Sequence, residues 1–406
     1  MTTKRRLLWI GDAGVSTGFA RCTHEILKVV REHFDVHVLA LGYDGDPHPV
    51  QNQFPIYRCS GGDGIGIART DELIGKIGPA VCVIQNDPWN FPYYLQRTGT
   101  TPVVGIVAID GKNCRGSLLN GLQHAIFWTK FGEEQARLGG YSGESTVVPL
   151  GVDLNIYRPL DKAAIREKMS MPKVLGQRGL PEDTFIVGVV GRNQHRKRLD
   201  LTLEYFAEWI HEYDVADAAL WIQQAPTGER AFDLEQLAKY YRITDRLIVT
   251  AVTKDQQGVP EELLARIYNV FDVMMTTTQG EGWGLPQMEG MACGVPQVVP
   301  QWSALGEWAT AAEQVPCYSH AATPSTGHSF APNVIGGIAD RREFCAALDR
   351  VYRSKERRSH MIDAGFKLCD KREHRWSSIG VATADAIRRT VLGHPVVQKQ
   401  QEAQHA

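Results

Sequence analysis

Short apolar runs alternate with longer amphipathic stretches along this chain. RLLWIG (6–11) reads as a buried strand, and FARCTHEILKVVREH (19–33) after it has helical spacing. DVHVLALG (35–42), AVCVIQND (80–87), TPVVGIVAID (101–110), HAIFWTK (124–130) and STVVPLG (145–151) read as further strands, with helices at DELIGKIGP (71–79) and FGEEQARLGG (131–140). Near-continuous apolar strands separated by helices predict a parallel sheet covered on both faces. The pattern breaks over 151–184, where prolines and mixed charge predict a domain boundary. It then restarts with strands at 184–191, 218–224 and 246–252 and helices at 199–213, 233–243 and 260–271. VFDVMMTTT (270–278) is a strand, a helix is expected from Pro286 to Cys293, and VPQVVP (295–300) is the next strand. The expectation is an α/β chain of two doubly wound, Rossmann-like domains facing across a cleft, with ligands at the carboxyl ends of the strands.

TTTQGEGWGLPQMEGMACGVPQVVP (276–300) carries the densest chemistry. A strand, a glycine-rich turn and a helix start aim free backbone N–H groups at an anion, and glycines at 282 and 284 let a ligand approach the main chain. Glu281 and Glu289 cannot bind that anion, but they can accept hydrogen bonds from hydroxyls beside it. Phosphate next to hydroxyls suggests a sugar nucleotide; a glycine-rich turn with solvated glutamates is the alternative. GRNQHRK (191–197) follows the first strand of the second half, so Arg192 and Lys197 can neutralise a diphosphate, unless the loop is merely a solvated basic one. GDAGVSTG (11–18) is a glycine-bearing turn whose spacing is not the G-x-G-x-x-G of dinucleotide sites, which argues against an NAD oxidoreductase. Asp110 ends a strand and is a base, a hydroxyl acceptor or a turn residue. Asn86, Asp87 and Trp89 can line the same cleft or simply make a turn, and Asp44 and Asp46 read as a turn.

Composition narrows the class. The 406 residues suggest two domains, and a net charge of −2 gives no global pull toward nucleic acid or anionic membrane. Eight cysteines form no C-x-x-C pair and fit a reducing, cytoplasmic setting; no run reaches transmembrane length, so no stable membrane insertion is expected.

Taken together, these motifs resemble the family-4 retaining glycosyltransferases of the GT-B fold. GEGWGLPQMEGMACGVPQVV is similar to that family's paired-glutamate signature, GRNQHRK to its Arg…Lys pair, and VVPLGVDLNIYRP to its interdomain segment. RW at 375–376 resembles the start of the family's last helix, which crosses back to the first domain. The resemblance implies an acceptor-side domain over 1–155, a linker over 156–183, a nucleotide-sugar domain over 184–375, a crossing helix over 376–392 and a tail over 393–406.

It also implies that Glu281 holds donor-sugar hydroxyls, Glu289 the ribose, and Arg192 and Lys197 the leaving diphosphate. Gly284 and Leu285 would touch sugar and phosphate through their backbone, and Gly14 would admit the diphosphate. Asp110 stands where many members carry a histidine. The co-substrate would be a nucleotide sugar, with no metal or other cofactor required. The acceptor stays open among a glycan, a small molecule, a lipid-linked sugar and a hydroxymethylated base of viral DNA. A sugar-nucleotide epimerase and a catalytically silent glycan- or nucleotide-sugar-binding protein are the rival readings.

Overall fold

The computed structural model describes residues 4–14, 17–45, 53–59, 61–224, 231–251, 259–324 and 333–393. Asp46 and the tail beyond Gly393 lie outside them. The first sheet contains β1 (Arg5–Gly11), β2 (Phe34–Ala40), β3 (Ile56–Tyr57), β4 (Val81–Asn86), β5 (Val103–Val107), β6 (His124–Phe127) and β7 (Ser145–Val147), in the order β3-β2-β1-β4-β5-β6-β7. Every neighbouring pair is parallel. Helices α1 (Gly18–His33), α2 (Ile67–Ile77), α3 (Phe91–Leu95) and α4 (Lys130–Leu138) connect its strands. The second sheet is also parallel, with β8 (Phe185–Gly191), β9 (Ala218–Gln224), β10 (Leu247–Ala251), β11 (Val273–Met275), β12 (Gln297–Pro300) and β13 (Glu313–Val315) in the order β10-β9-β8-β11-β12-β13. Strands such as β1, with Leu7 to Ile10 all fully buried, need apolar residues on both faces because helices cover both.

The segment expected to be irregular, 156–183, contains two short helices, α5 (Lys162–Lys168) and α6 (Met171–Gly176). Ser170, with φ 56°, turns the chain between them, and Pro172 sits in the first turn of α6. Proline there starts a helix, which is why a proline-bearing stretch reads as loop from sequence. Asp272 anchors α5 to the second sheet. Its carboxylate accepts from Arg166 Nη2 at 2.6 Å, Lys162 Nζ at 2.9 Å and the Ile186 amide at 2.7 Å.

Beyond β8 come α7 (Leu199–Glu212), α8 (Leu234–Tyr240), α9 (Glu261–Val270), α10 (Leu285–Ala292), α11 (Ser303–Trp308), α12 (Arg341–Arg353), α13 (Lys355–Cys369) and α14 (Trp376–Gly393). Helix α14 returns to the first domain and packs on α1. Gly380 lies so close to Val29 that a β-carbon would stand 2.6 Å from that side chain, and Arg5 Nη1 donates to Val391 O at 3.3 Å. A hairpin, β14 (Ser319–Ala322) and β15 (Ile335–Ile338), reaches the first domain as well, where Lys112 and Ile335 exchange backbone hydrogen bonds of 2.9 and 3.0 Å. Glu307 of α11 accepts from the Lys130 and Phe131 amides at 3.0 and 2.8 Å, closing the N-terminus of α4 with a carboxylate from the opposite domain. The two domains therefore meet along a closed cleft.

Because three donors converge on one half-buried carboxylate, Asp272→Ala is expected to leave the α5 cations and the Ile186 amide short of a partner. A loss of about 2–3 kcal/mol and a fall in Tm of roughly 5–10 °C should appear in thermal melts. An unchanged Tm would show that α5 is held by packing alone.

Candidate active site

The basic loop after β8 is built before it is used. A short 3-10 turn, His195–Lys197, ends at Arg198 in the left-handed region with φ 50°. The threonines after β11 then fasten it: Thr277 Oγ1 donates to Arg198 O at 2.7 Å, and the Gln279 amide to Arg196 O at 2.8 Å. TTTQ is thus a clamp on the loop's backbone, which explains hydroxyls in a segment otherwise fit for a buried strand. The clamp aims Arg196 and Lys197 at one carboxylate. Lys197 Nζ lies 2.5 Å from Glu281 Oε1 and Arg196 Nη1 lies 3.0 Å from Glu281 Oε2, while the Glu281 amide donates to Ser303 Oγ at 2.9 Å. Burial works against the charge on Glu281, but Lys197 and Arg196 more than offset it and hold its pKa at about 2. Arg196 also spans the cleft, with Nε 2.9 Å from Asp110 Oδ2 of the first domain.

Strand β5 stops at Val107, so Asp110 stands three positions beyond it rather than at its end. It joins a row: Asp12, Asp87 and Asp110 follow β1, β4 and β5, which are adjacent in the sheet. Burial raises all three pKa values. The Asp110 charge adds to that effect on Asp87, which is pushed up to about 7. Asp12 accepts from Thr17 Oγ1 at 2.6 Å. Arg192 is near enough for its charge to oppose the rise in the Asp12 and Asp87 pKa values, whereas Arg196, which sequence reasoning passed over, makes the direct contacts to Glu281 and Asp110. Lys197 pairs with the same carboxylate, Glu281.

Gly284 caps α10 with φ 95°, a conformation that needs glycine, and leaves the Leu285 amide at the open end of the helix. The Leu285 side chain reaches across to Gly18, the first residue of α1. Helix α10 begins one residue earlier than expected and ends at Ala292. At Gly14 the space a side chain would need is filled by the Tyr43 ring, so packing against Tyr43 already demands glycine there. Glu289, on the buried face of α10, meets Arg21 of α1 and accepts from Tyr268 Oη at 2.7 Å. Sequence spacing gives no signal for Arg21 or Tyr268, since they arrive from α1 and α9.

Residues 171–367 match the family described as glycosyl transferases group 1. A D-inositol 3-phosphate glycosyltransferase 2 from Catenulispora acidiphila is 27% identical over 261 residues, 62% of this chain and 52% of that relative. A D-inositol 3-phosphate glycosyltransferase from Geodermatophilus obscurus is 34% identical over 157 residues, 37% of this chain and 32% of the relative. The chain thus spans about half, or less, of the length of these curated relatives. Among solved structures, sucrose-phosphate synthase from Thermosynechococcus elongatus superposes with a TM-score of 0.75 at 15% identity, covering 96% of this chain and 100% of that one. Anabaena Alr3699/HepE, solved with UDP-glucose, gives 0.71 at 14% identity, covering 95% and 99%. These likenesses establish the GT-B fold.

The raised pKa of Asp87 has a consequence for stability. A carboxylate held near 7 when folded and near 4 when unfolded stabilises the fold below about pH 4, and this contribution is lost as the pH rises through about 7. Asp87→Asn should therefore flatten the decline in Tm between pH 5.5 and 8 by roughly 2–5 °C. Parallel Tm–pH curves for variant and parent would refute the assignment.

Proposed function

We propose, for a chain whose residues 171–367 belong to the glycosyl transferases group 1 family, that the protein transfers a sugar from a nucleotide-sugar donor to a hydroxyl acceptor, with retention of configuration and without a metal. The observation that carries this reading is the convergence of Arg196 and Lys197 on Glu281, opposite Asp110, between the carboxyl ends of two parallel sheets. The donor's diphosphate would lie against the open end of α10 at Gly284 and Leu285, where its charge meets the helix N-terminus and the cations of the basic loop. Glu281 would hold sugar hydroxyls and Glu289 the ribose.

In the transfer step the bond from the anomeric carbon to the phosphate oxygen breaks, and the acceptor oxygen forms the new bond on the same face. The acceptor's proton passes to the departing phosphate. Charge builds on that phosphate only as the bond breaks, so cations already fixed around it favour the transition state over the bound donor. Their number and rigidity supply what a metal would otherwise provide. The first-domain wall of the cleft, with Asp12, Asp87 and Asp110, suits a hydroxyl-rich acceptor and repels a phosphate placed directly against it. The relatives named for D-inositol 3-phosphate make a phosphorylated polyol the first acceptor to try, with its phosphate directed away from this wall.

A panel of labelled nucleotide sugars, with mass spectrometry of polyol, glycan, lipid-linked and modified-DNA acceptors, tests the reading. Transfer, or slow hydrolysis of one donor, is expected; interconversion of sugars would indicate an epimerase, and binding without turnover a silent protein. Activity should survive excess chelator, and complete loss reversed by Mg²⁺ would overturn the metal-independent reading. Arg196→Ala and Lys197→Ala should each lower kcat on the order of 10²–10³-fold with a smaller change in donor affinity. A rise in KM alone would reduce the loop to a docking patch.

A further inference from the structure

Arg21, in the first turn of α1, belongs to neither the paired-glutamate segment nor the basic loop, yet it enters the donor half of the cleft from the opposite domain. Its Nη1 pairs with Glu289 Oε1 on α10, and its Nε lies 2.6 Å from Glu261 Oε1 on α9. The guanidinium sits over the Tyr157 ring, 5.6 Å from its centroid. Tyr157 Oη in turn donates to Glu261 at 3.3 Å, and the Tyr157 and Tyr268 rings meet edge to face at 6.0 Å. Arg21 thus rests in a rack made of two tyrosines and two carboxylates.

The occupancy of Glu289 is the decisive point. Its side chain is only 2% exposed, and both oxygens are engaged, one by Arg21 and the other by Tyr268. A vicinal diol cannot reach that carboxylate while the guanidinium stays in place: each oxygen keeps acceptor capacity, but Arg21 and Tyr268 cover both and leave no open approach. Glu261 is the more open of the two carboxylates, at 34% exposure. Arg21 therefore has a second berth: it can release Glu289 and keep a full charge pair with Glu261 while resting on Tyr157.

We infer that Arg21 competes with the donor's ribose for Glu289, so that donor binding exchanges an interdomain ion pair for a carboxylate–diol contact. This rests on the nucleotide-sugar reading above. Its consequence is a built-in discount on donor affinity: the free protein is held in a state that is not competent to receive the ribose, and the apparent affinity falls by the fraction of molecules in that state. A purely structural lock would behave differently, since Arg21 and the ribose would then not sense one another.

The test is a cycle between variant and ligand. Isothermal titration would compare UDP, GDP and ADP with their 2′,3′-dideoxy counterparts on the parent, Arg21→Gln and Arg21→Lys. In the parent, the ribose hydroxyls should add little affinity, because gaining them costs the ion pair. In Arg21→Gln, the preference for the ribonucleotide over its dideoxy form should rise about 5–10-fold, through tighter binding of the ribonucleotide. Arg21→Lys keeps the charge without the fork that spans both carboxylates, so it should fall between the two; it also answers the question if Arg21→Gln does not fold. An unchanged preference in both variants, or a reduced one, would overturn the inference. Failure of the parent to bind any of the three ribonucleotides or a nucleotide sugar would overturn the donor reading itself, and this inference with it.

Discussion

The pairing of Glu281 is the interaction on which the site depends. A carboxylate buried to this degree cannot stay ionised alone, and Lys197 and Arg196 keep it charged. Fixing those two side chains requires the threonine clamp after β11 to grip the loop after β8. Arg196 has a planar fork, and after serving Glu281 it retains an N–H for Asp110. A local requirement to neutralise one carboxylate is thereby carried across the cleft. The same side chain that keeps Glu281 charged also draws the first domain's acidic wall toward the second domain.

Charges are distributed unevenly across this cleft. The cations next to Glu281 come from one loop of the second domain, and the first domain adds carboxylates from the segments that follow three neighbouring strands. Burial displaces Asp87, in the middle of the row, to about 7, and the charges of Asp110 and Asp12 on either side add to that shift. The cleft therefore has a basic loop, paired with Glu281, on one side and a row of half-buried carboxylates on the other.

The fold was legible in the sequence where strands are buried on both faces, because continuous apolar runs such as LLWI and FIVGVV have few other uses. The glutamates at 281 and 289 and the basic loop were legible because their chemistry is packed into short, glycine-marked segments. Helices α5 and α6 were not, because Pro172 and the left-handed Ser170 look like interruptions when they actually start and separate helices. The hairpin β14–β15, short and carrying Gly336 and Gly337, has too little alternation to register. Arg196 was hidden among four consecutive basic or histidine positions, where only the turn geometry decides which side chain faces the site. Arg21 and Asp272 were hidden for another reason: each draws its meaning from partners more than a hundred positions away or on separate elements.

Helix α14 limits how the halves can move. The chain passes from the first domain to the second near Leu150 and returns near His374, and these two passages touch: His374 Nδ1 lies 2.9 Å from Leu150 O, and the Val152 amide donates to His374 O at 3.3 Å. A single connecting strand would behave like a swivel, free to bend and twist. Two passages stitched side by side resist torsion more than one would, like a door hung on a pin. Any rotation about this double passage would separate the far edges of the sheets, and with them Arg196 and Asp110, before it parted the passages themselves. The double crossing of the backbone thereby narrows the ways in which the two sheets can turn against each other.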